Sequence, residues 1–272
     1  MSSPTGRDRR AERLPGWRVS PILVFVVLLG ITVWAMPRLG DLFRSSEFDF
    51  VELAEPVGFR SIRSEEFSSG WDPLTGVAGG QIPAVDTDGE RTGTNFCRSL
   101  FGTDAVPPGV VPIAYFSDYR CPYCRVLSGR LAEIGDEAGD SVHIAWHEWP
   151  VLGPASEVAA MAALAARRQG AYAAFHRRLI DSRFVPTPAY LRNLSEEVGI
   201  DGERLLQDMD AAEIEREIAQ SRQLARLFGF PGTPGLVVGR TVVIGAISEP
   251  KLRALIQRER QDGAIAACNP RS

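Results

Sequence analysis

The chain has 272 residues, a net charge of −4, and 44% apolar against 24% charged residues. That balance belongs to a folded domain and gives no general attraction to nucleic acid. Its four cysteines, Cys97, Cys121, Cys124 and Cys268, are too few for a disulfide-stapled mini-protein.

The N-terminus differs from the rest. Residues 1–18 carry Arg7, Arg9, Arg10, Arg13 and Arg18 against Asp8 and Glu12, and no charge interrupts Val19 to Met36. That apolar run is near the lower limit for spanning a bilayer, and its basic flank places residues 1–18 in the cytoplasm. An uncleaved transmembrane anchor at 19–36 competes with a cleaved signal peptide. The run ends in Trp34-Ala35-Met36-Pro37, which suits a peptidase poorly, so the anchor is the expectation. Either way the chain beyond about residue 37 reaches an oxidising compartment outside the cytoplasmic membrane, the periplasm in a two-membrane cell.

Residues 37–106 are rich in Gly, Pro, Ser and Asp and weakly periodic; they predict a spacer with an N-terminal strand, for which FDFVEL and GFRSI are the candidates. Val110 to Ser117 (VVPIAYFS) predicts a buried strand. Cys124, Leu127, Leu131 and Ile134 then recur at helical spacing to about Asp136, and Ser141 to Trp149 predicts a second strand. This is a β-α-β unit over 107–154, with Cys121-Pro122-Tyr123-Cys124 at the first strand-to-helix junction.

Residues 155–228 predict four helices in succession. In the first, Val158, Met161, Ala162 and Ala165 share a face and Gly170 closes the helix; in the second, Tyr172, Phe175 and Leu179 form a stripe. The third has Thr187 as N-cap, Pro188 at its first position and Gly199 as its stop; the fourth opens with a capping box of Asp210 and Glu213. Over 229–262, PGLVVG and TVVIGA flank a Gly239-Arg240 hairpin turn, and a last helix follows Ser248. Residues 263–272 are a tail.

The Cys121–Cys124 pair can hold a metal, lie inert, or cycle between dithiol and disulfide. Zinc needs more ligands, and His143, His147 and His176 are scattered, so no metal is expected. At a helix N-terminus, unpaired N–H groups and the macrodipole stabilise thiolate over thiol, and thiolate is the nucleophile. Cys121, near the cap and exposed, is therefore the attacking sulfur; Cys124, one turn further in, faces the core and resolves. Pro122 fits the first turn, and Arg120 and Arg125 add positive potential that surface solvation weakens.

A β-α-β unit with CPYC, a helical block, and Gly232-Thr233-Pro234 before a late hairpin resemble the thioredoxin superfamily. FSDYRCPYC, GTPGLVVG and EWPVLGPASEVAAMAALAA resemble its DsbA-like branch of extracytoplasmic thiol oxidoreductases, over about 107–262. The resemblance implies an α/β thioredoxin-like fold with an inserted helical domain. It also implies a cis Pro234 beside the CxxC, with Thr233 backbone groups pairing with an extended substrate next to Pro122 and Tyr123. No cofactor beyond the two sulfurs is implied. The chain departs from the family in one respect: many relatives carry a buried acid in the strand before the motif, and here that stretch is Ala114-Tyr115-Phe116. Asp118 reads as a loop or capping residue and Glu148 as a strand-end surface residue, so no proton shuttle is named.

Two leftover thiols in an oxidising compartment usually pair, so a Cys97–Cys268 disulfide is expected, with free thiols, an intermolecular link or an electron relay as alternatives. The three histidines read as structural or solvated. The sum is a membrane-anchored extracytoplasmic enzyme that oxidises protein thiols and, by resemblance, is reoxidised by a quinone-linked membrane partner. A reductase or isomerase fed electrons through the membrane would use the same residues, and a thiol- or copper-binding protein without activity is the rival from another class.

Overall fold

The structure is a computed structural model that describes residues 48–62, 94–263 and 268. The basic leader and the apolar run 19–36 lie outside the described residues, as does most of the spacer; no described helix is long and apolar enough to cross a membrane.

Strands β1 (Phe50–Glu52) and β2 (Arg60–Ile62) form an antiparallel pair, followed by helix α1 (Thr94–Phe101). Strand β3 (Val111–Ser117), helix α2 (Pro122–Ala138) and strand β4 (Val142–Glu148) make the β-α-β unit, with β3 and β4 parallel in full register. Then come α3 (Pro154–Arg168), α4 (Tyr172–Asp181), α5 (Pro188–Val198), α6 (Gly202–Asp208) and α7 (Ala212–Leu227). Strands β5 (Gly235–Val238) and β6 (Thr241–Ile244) form the late hairpin, and α8 (Glu249–Asp262) closes the order. The sheet runs β1-β2-β6-β5-β3-β4, with β2 parallel to β6 and β5 antiparallel to β3.

Strand β3 is buried along its whole length and serves both faces of the sheet by alternation. Val111, Ile113 and Tyr115 pack with Leu127, Leu131 and Ile134 of α2 and with Leu252, Leu255 and Ile256 of α8. Ala114 and Phe116 point the other way, against Leu100 and Phe101 of α1 and Leu224 and Phe228 around the end of α7. A third core lies in the helical block and includes Cys121 and Cys124 themselves.

The turn between β5 and β6 needs its glycine. Gly239 has φ of 56°, and a Cβ there would collide with the Glu259 carboxylate, which accepts a bond from Arg240 N–H at 2.9 Å. Glu259 also receives the guanidinium of buried Arg60 at 2.5 Å, and Arg60 reaches Thr241 Oγ1 at 2.8 Å and Asp262 at 2.7 Å. This buried group ties β2, β6 and α8 together.

Four elements depart from the sequence reading. Helix α1 stands where only spacer was expected: Phe96, Cys97, Leu100 and Phe101 give it an apolar side, but its eight residues are too short for a firm periodicity. Helix α6 makes the block five helices rather than four; it is nucleated by Asp201, whose carboxylate caps Glu203 and Arg204 N–H. Helix α7 is capped at Ala211 and not by Asp210, because Ala211 N–H still closes the preceding turn on Asp208 and the helix starts one residue later. Helix α3 buries alanines around most of its circumference, not one face, because α4, α6 and α7 all pack on it. By contrast, α5 has Thr187 as N-cap, Pro188 at its first turn and left-handed Gly199 as its stop, as its sequence indicates.

A disulfide joins Cys97 of α1 to Cys268, with Cα atoms 5.4 Å apart and a sequence separation of 171. It links α1 to the tail across the whole fold. Replacing both cysteines by alanine is expected to cost about 2–5 kcal/mol, because a long closed loop is released in the unfolded chain. Urea denaturation of both proteins under non-reducing conditions measures this, and an unchanged midpoint would refute it.

Candidate active site

Cys121 is the N-cap of α2, with φ −81° and ψ 117°, and its sulfur accepts the Cys124 N–H at 3.3 Å. Pro122 at the first helical position sacrifices no bond there, and Pro122 and Tyr123 turn to solvent. The loop before the helix is fixed by Asp118. Its buried carboxylate accepts N–H bonds from Arg120 at 2.7 Å, Val151 at 2.7 Å and Leu152 at 2.9 Å, and the Ser156 hydroxyl at 2.7 Å. The loop-capping reading of Asp118 describes this geometry.

From the neighbouring strand, at the same end of the sheet, the turn before β5 arrives over the helix start. The Thr233–Pro234 peptide is cis, and the Cys121 thiol donates to the Thr233 carbonyl at 3.5 Å. Thr233 and Pro234 therefore stand beside Cys121, 112 positions away in sequence. This close approach changes one expectation. Cys121 keeps only 4% of its surface, not an exposed position, because the Thr233–Pro234 turn and the helical block cover it. Cys124 has none. The exposed part of the motif is Pro122 and Tyr123, the latter at 44%.

Burial opposes a charge on either sulfur, but only one is compensated. Cys121 is drawn down from 9.0 to about 6, first by the hydrogen bond from the Cys124 thiol and then by the Thr233 side chain and the Cys124 and Tyr123 N–H groups, against burial. Cys124 is pushed up, first by burial and then by its proximity to Cys121. Cys121 is the sulfur that ionises near neutral pH, and Cys124 keeps its proton. Arginine charge is not among the leading causes, in keeping with the weakening by solvation expected for Arg120 and Arg125.

Beneath the motif, the Tyr115 hydroxyl donates to the Cys124 carbonyl at 3.0 Å and receives Ser128 Oγ at 3.4 Å. A phenol, not an acid, occupies this part of β3. A second buried acid, besides Asp118, is Glu148, which corrects its reading as a surface residue: it retains 2% exposure at the end of β4. Its Oε1 accepts the hydroxyls of Tyr119 at 2.8 Å and Tyr172 at 2.6 Å. Since Tyr119 spends its only proton on Glu148, the 2.7 Å contact to His176 Nδ1 requires that nitrogen to carry the hydrogen. His176 Nε2, then an acceptor, stands 3.4 Å from Ser128 Oγ and competes with the Tyr115 hydroxyl for that single serine proton. Sequence gave no sign of this cluster, since its members come from the loop before α2, from α2, from β4 and from α4. His143 and His147 hold the Phe101 and Leu100 carbonyls, each at 2.8 Å, and join β4 to α1; burial lowers His147 to about 4.

A paired dithiol, one sulfur ionised and the other protonated, at the head of the first crossover helix of a thioredoxin-like fold, is the chemistry of a protein thiol–disulfide oxidoreductase. The sequence model of the DSBA-like thioredoxin domain matches residues 112–257, more than half of the chain, and the chain belongs to that family. Among solved structures, it is similar to a thioredoxin-like oxidoreductase from Silicibacter pomeroyi, with 39% identity, a TM-score of 0.55, and coverage of 60% of this chain and 97% of that one. The thiol-disulfide exchange protein alpha-DsbA2 from Wolbachia pipientis has the same fold at 24% identity and a TM-score of 0.55, covering 60% of this chain and 91% of that one. A curated relative, the Na(+)/H(+) antiporter NhaA 3 of Salinispora tropica, is 29% identical over 130 residues, which are 47% of this chain; the chain spans 20% of that protein's length.

Two expectations follow from the site. With its pKa lowered from 9.0 to about 6, Cys121 contributes stability to the reduced protein that is full above about pH 9 and lost as pH falls through 6. Iodoacetamide alkylation should therefore show a midpoint near pH 6, and the denaturation midpoint of the reduced protein should rise between pH 6 and 9 relative to Cys121→Ala; a midpoint near 9 would contradict this. Glu148→Ala strands two buried hydroxyls, at about 1–3 kcal/mol each, whereas Glu148→Gln keeps an acceptor oxygen and should cost less in urea denaturation.

Proposed function

We propose that this protein oxidises the thiols of extracytoplasmic proteins through Cys121-Pro122-Tyr123-Cys124 while anchored by the apolar run at 19–36. The observation that carries the reading is the opposed ionisation of the two sulfurs. A stabilised Cys121 thiolate favours the dithiol form, and a favoured product makes the disulfide an oxidant.

In the oxidising cycle a client thiolate attacks the Cys121 sulfur of the Cys121–Cys124 disulfide. A mixed disulfide forms, the Cys121–Cys124 bond breaks, and Cys124 leaves as a thiolate that takes up a proton. A second client thiolate then attacks the client sulfur of the mixed disulfide, releases Cys121 as thiolate, and carries away the new disulfide. Two electrons have passed to the CxxC, and a membrane-bound, quinone-linked acceptor removes them. Thr233 backbone groups and Pro234 form the wall along which the client segment lies, and Pro122 and Tyr123 form its other side. The Cys97–Cys268 disulfide sits in a separate core and is structural.

Two measurements test this. Cys124→Ala removes the resolving thiol and is expected to accumulate mixed disulfides between Cys121 and client proteins in cells, recovered under non-reducing conditions; absence of adducts would favour a binding protein without exchange activity. The Cys121–Cys124 potential is expected to lie well above that of thioredoxin; a value of about −270 mV would overturn the oxidant direction and favour a reductase.

A further inference from the structure

We propose that a pocket beside Cys121, walled by Arg120, Arg125 and Arg183, receives an acidic side chain lying close to the reacting cysteine of a client protein. The proposal rests on Cys121 being the sulfur that a client attacks.

The pocket has a volume of about 190 Å³ and a floor of Tyr119, Ala159 and Leu179. Ligand sites for whole small molecules run to about 300–1,000 Å³, so this one suits a single side chain. Three arginines and no carboxylate line it. That is unusual in this chain, where arginines such as Arg178, Arg192, Arg222 and Arg253 are matched with acids. Among the described residues Arg120 and Arg183 form no ion pair, and both are exposed. A larger cavity, along β4, is different: its Arg98, Arg167 and Arg216 are accompanied by Glu213 and Glu217.

The arrangement is also held in place. Arg125 donates to the Ile180 and Ser182 carbonyls at 2.8 and 3.2 Å, which fixes its guanidinium without neutralising it. Arg120 directly precedes Cys121, and its backbone N–H is tied to Asp118, so the charge stands one residue from the reacting sulfur. Phe184, 74% exposed, adds an apolar lip against which the stem of an acidic residue can lie. Three like charges without a counter-ion repel one another, and a carboxylate relieves this while accepting a bidentate guanidinium pair.

The walls are partly solvated, so each pair is weak and screened by salt. The test uses the oxidised full chain and single-cysteine peptides of one neutral sequence, with Glu or its Gln twin at each position within about three residues of the cysteine. The rate of mixed-disulfide formation is read for each twin pair. At low ionic strength at least one Glu peptide should react about three- to tenfold faster than its Gln twin, and the ratio should fall toward one in about 0.5 M salt. Arg120→Gln and Arg183→Gln should each reduce the ratio; a change in the Cys121 thiol alone would move both twins equally and leave it intact. Equal rates for every twin pair, or a ratio that survives both substitutions, would overturn the proposal. If neither twin reacts, the reading of Cys121 as the attacked sulfur falls, and the pocket's role with it.

Discussion

A sulfur with 4% of its surface open to water carries a charge only if donors replace the water it lost. At Cys121 the replacement comes from the start of α2: the Cys124 N–H, the Tyr123 N–H and the Cys124 thiol all converge on one Sγ. Much of the site follows from that requirement. The helix must begin at residue 122, so a proline occupies its first position and Asp118 fixes the approaching loop from four directions. Cys124, one turn on, must give up solvent entirely, and its thiol is kept protonated by the same burial that the donors overcome at Cys121.

The rest of the fold delivers partners to that helix end. β3 is covered on both faces, which fixes the height at which its C-terminal end releases the chain into α2. β5 pairs beside it in the opposite direction, so the residues just before β5 arrive at the same end of the sheet as Cys121. Topology, not sequence proximity, thus brings Thr233 and Pro234 to the sulfur. The helical block closes the other side, and Tyr119, Glu148, Tyr172 and His176 fill the join between block and sheet with a connected polar cluster. Such clusters stabilise when their groups are partnered and cost dearly when one partner is lost, which makes this join a specific fit and not a greasy seam.

Charge on the surface around the site has a different logic from charge inside it. The thiolate is held by short-range donors, so the neighbouring arginines are left free for another role. Their position around a pocket without carboxylates turns a feature that seemed to serve the cysteine into one that can select what approaches it.

The strongest sequence signals were local. CPYC after an apolar run located the helix start, Thr187-Pro188 and Gly199 bounded α5, and Gly239-Arg240 marked the hairpin, because each depends on a few neighbouring backbone torsions and bonds. Helices α1 and α6 escaped notice because they are short and are secured by packing and by a single cap. Glu148 was misplaced because nothing beside it in the chain reveals that two tyrosines from other elements will surround it. What the sequence by itself determined is which sulfur sits at a helix N-terminus, since that is a matter of adjacent residues. How deeply that sulfur is buried, what covers it and which charges are left unpaired around it were decided only by the tertiary structure, because desolvation depends on every segment that packs there, however distant in the chain.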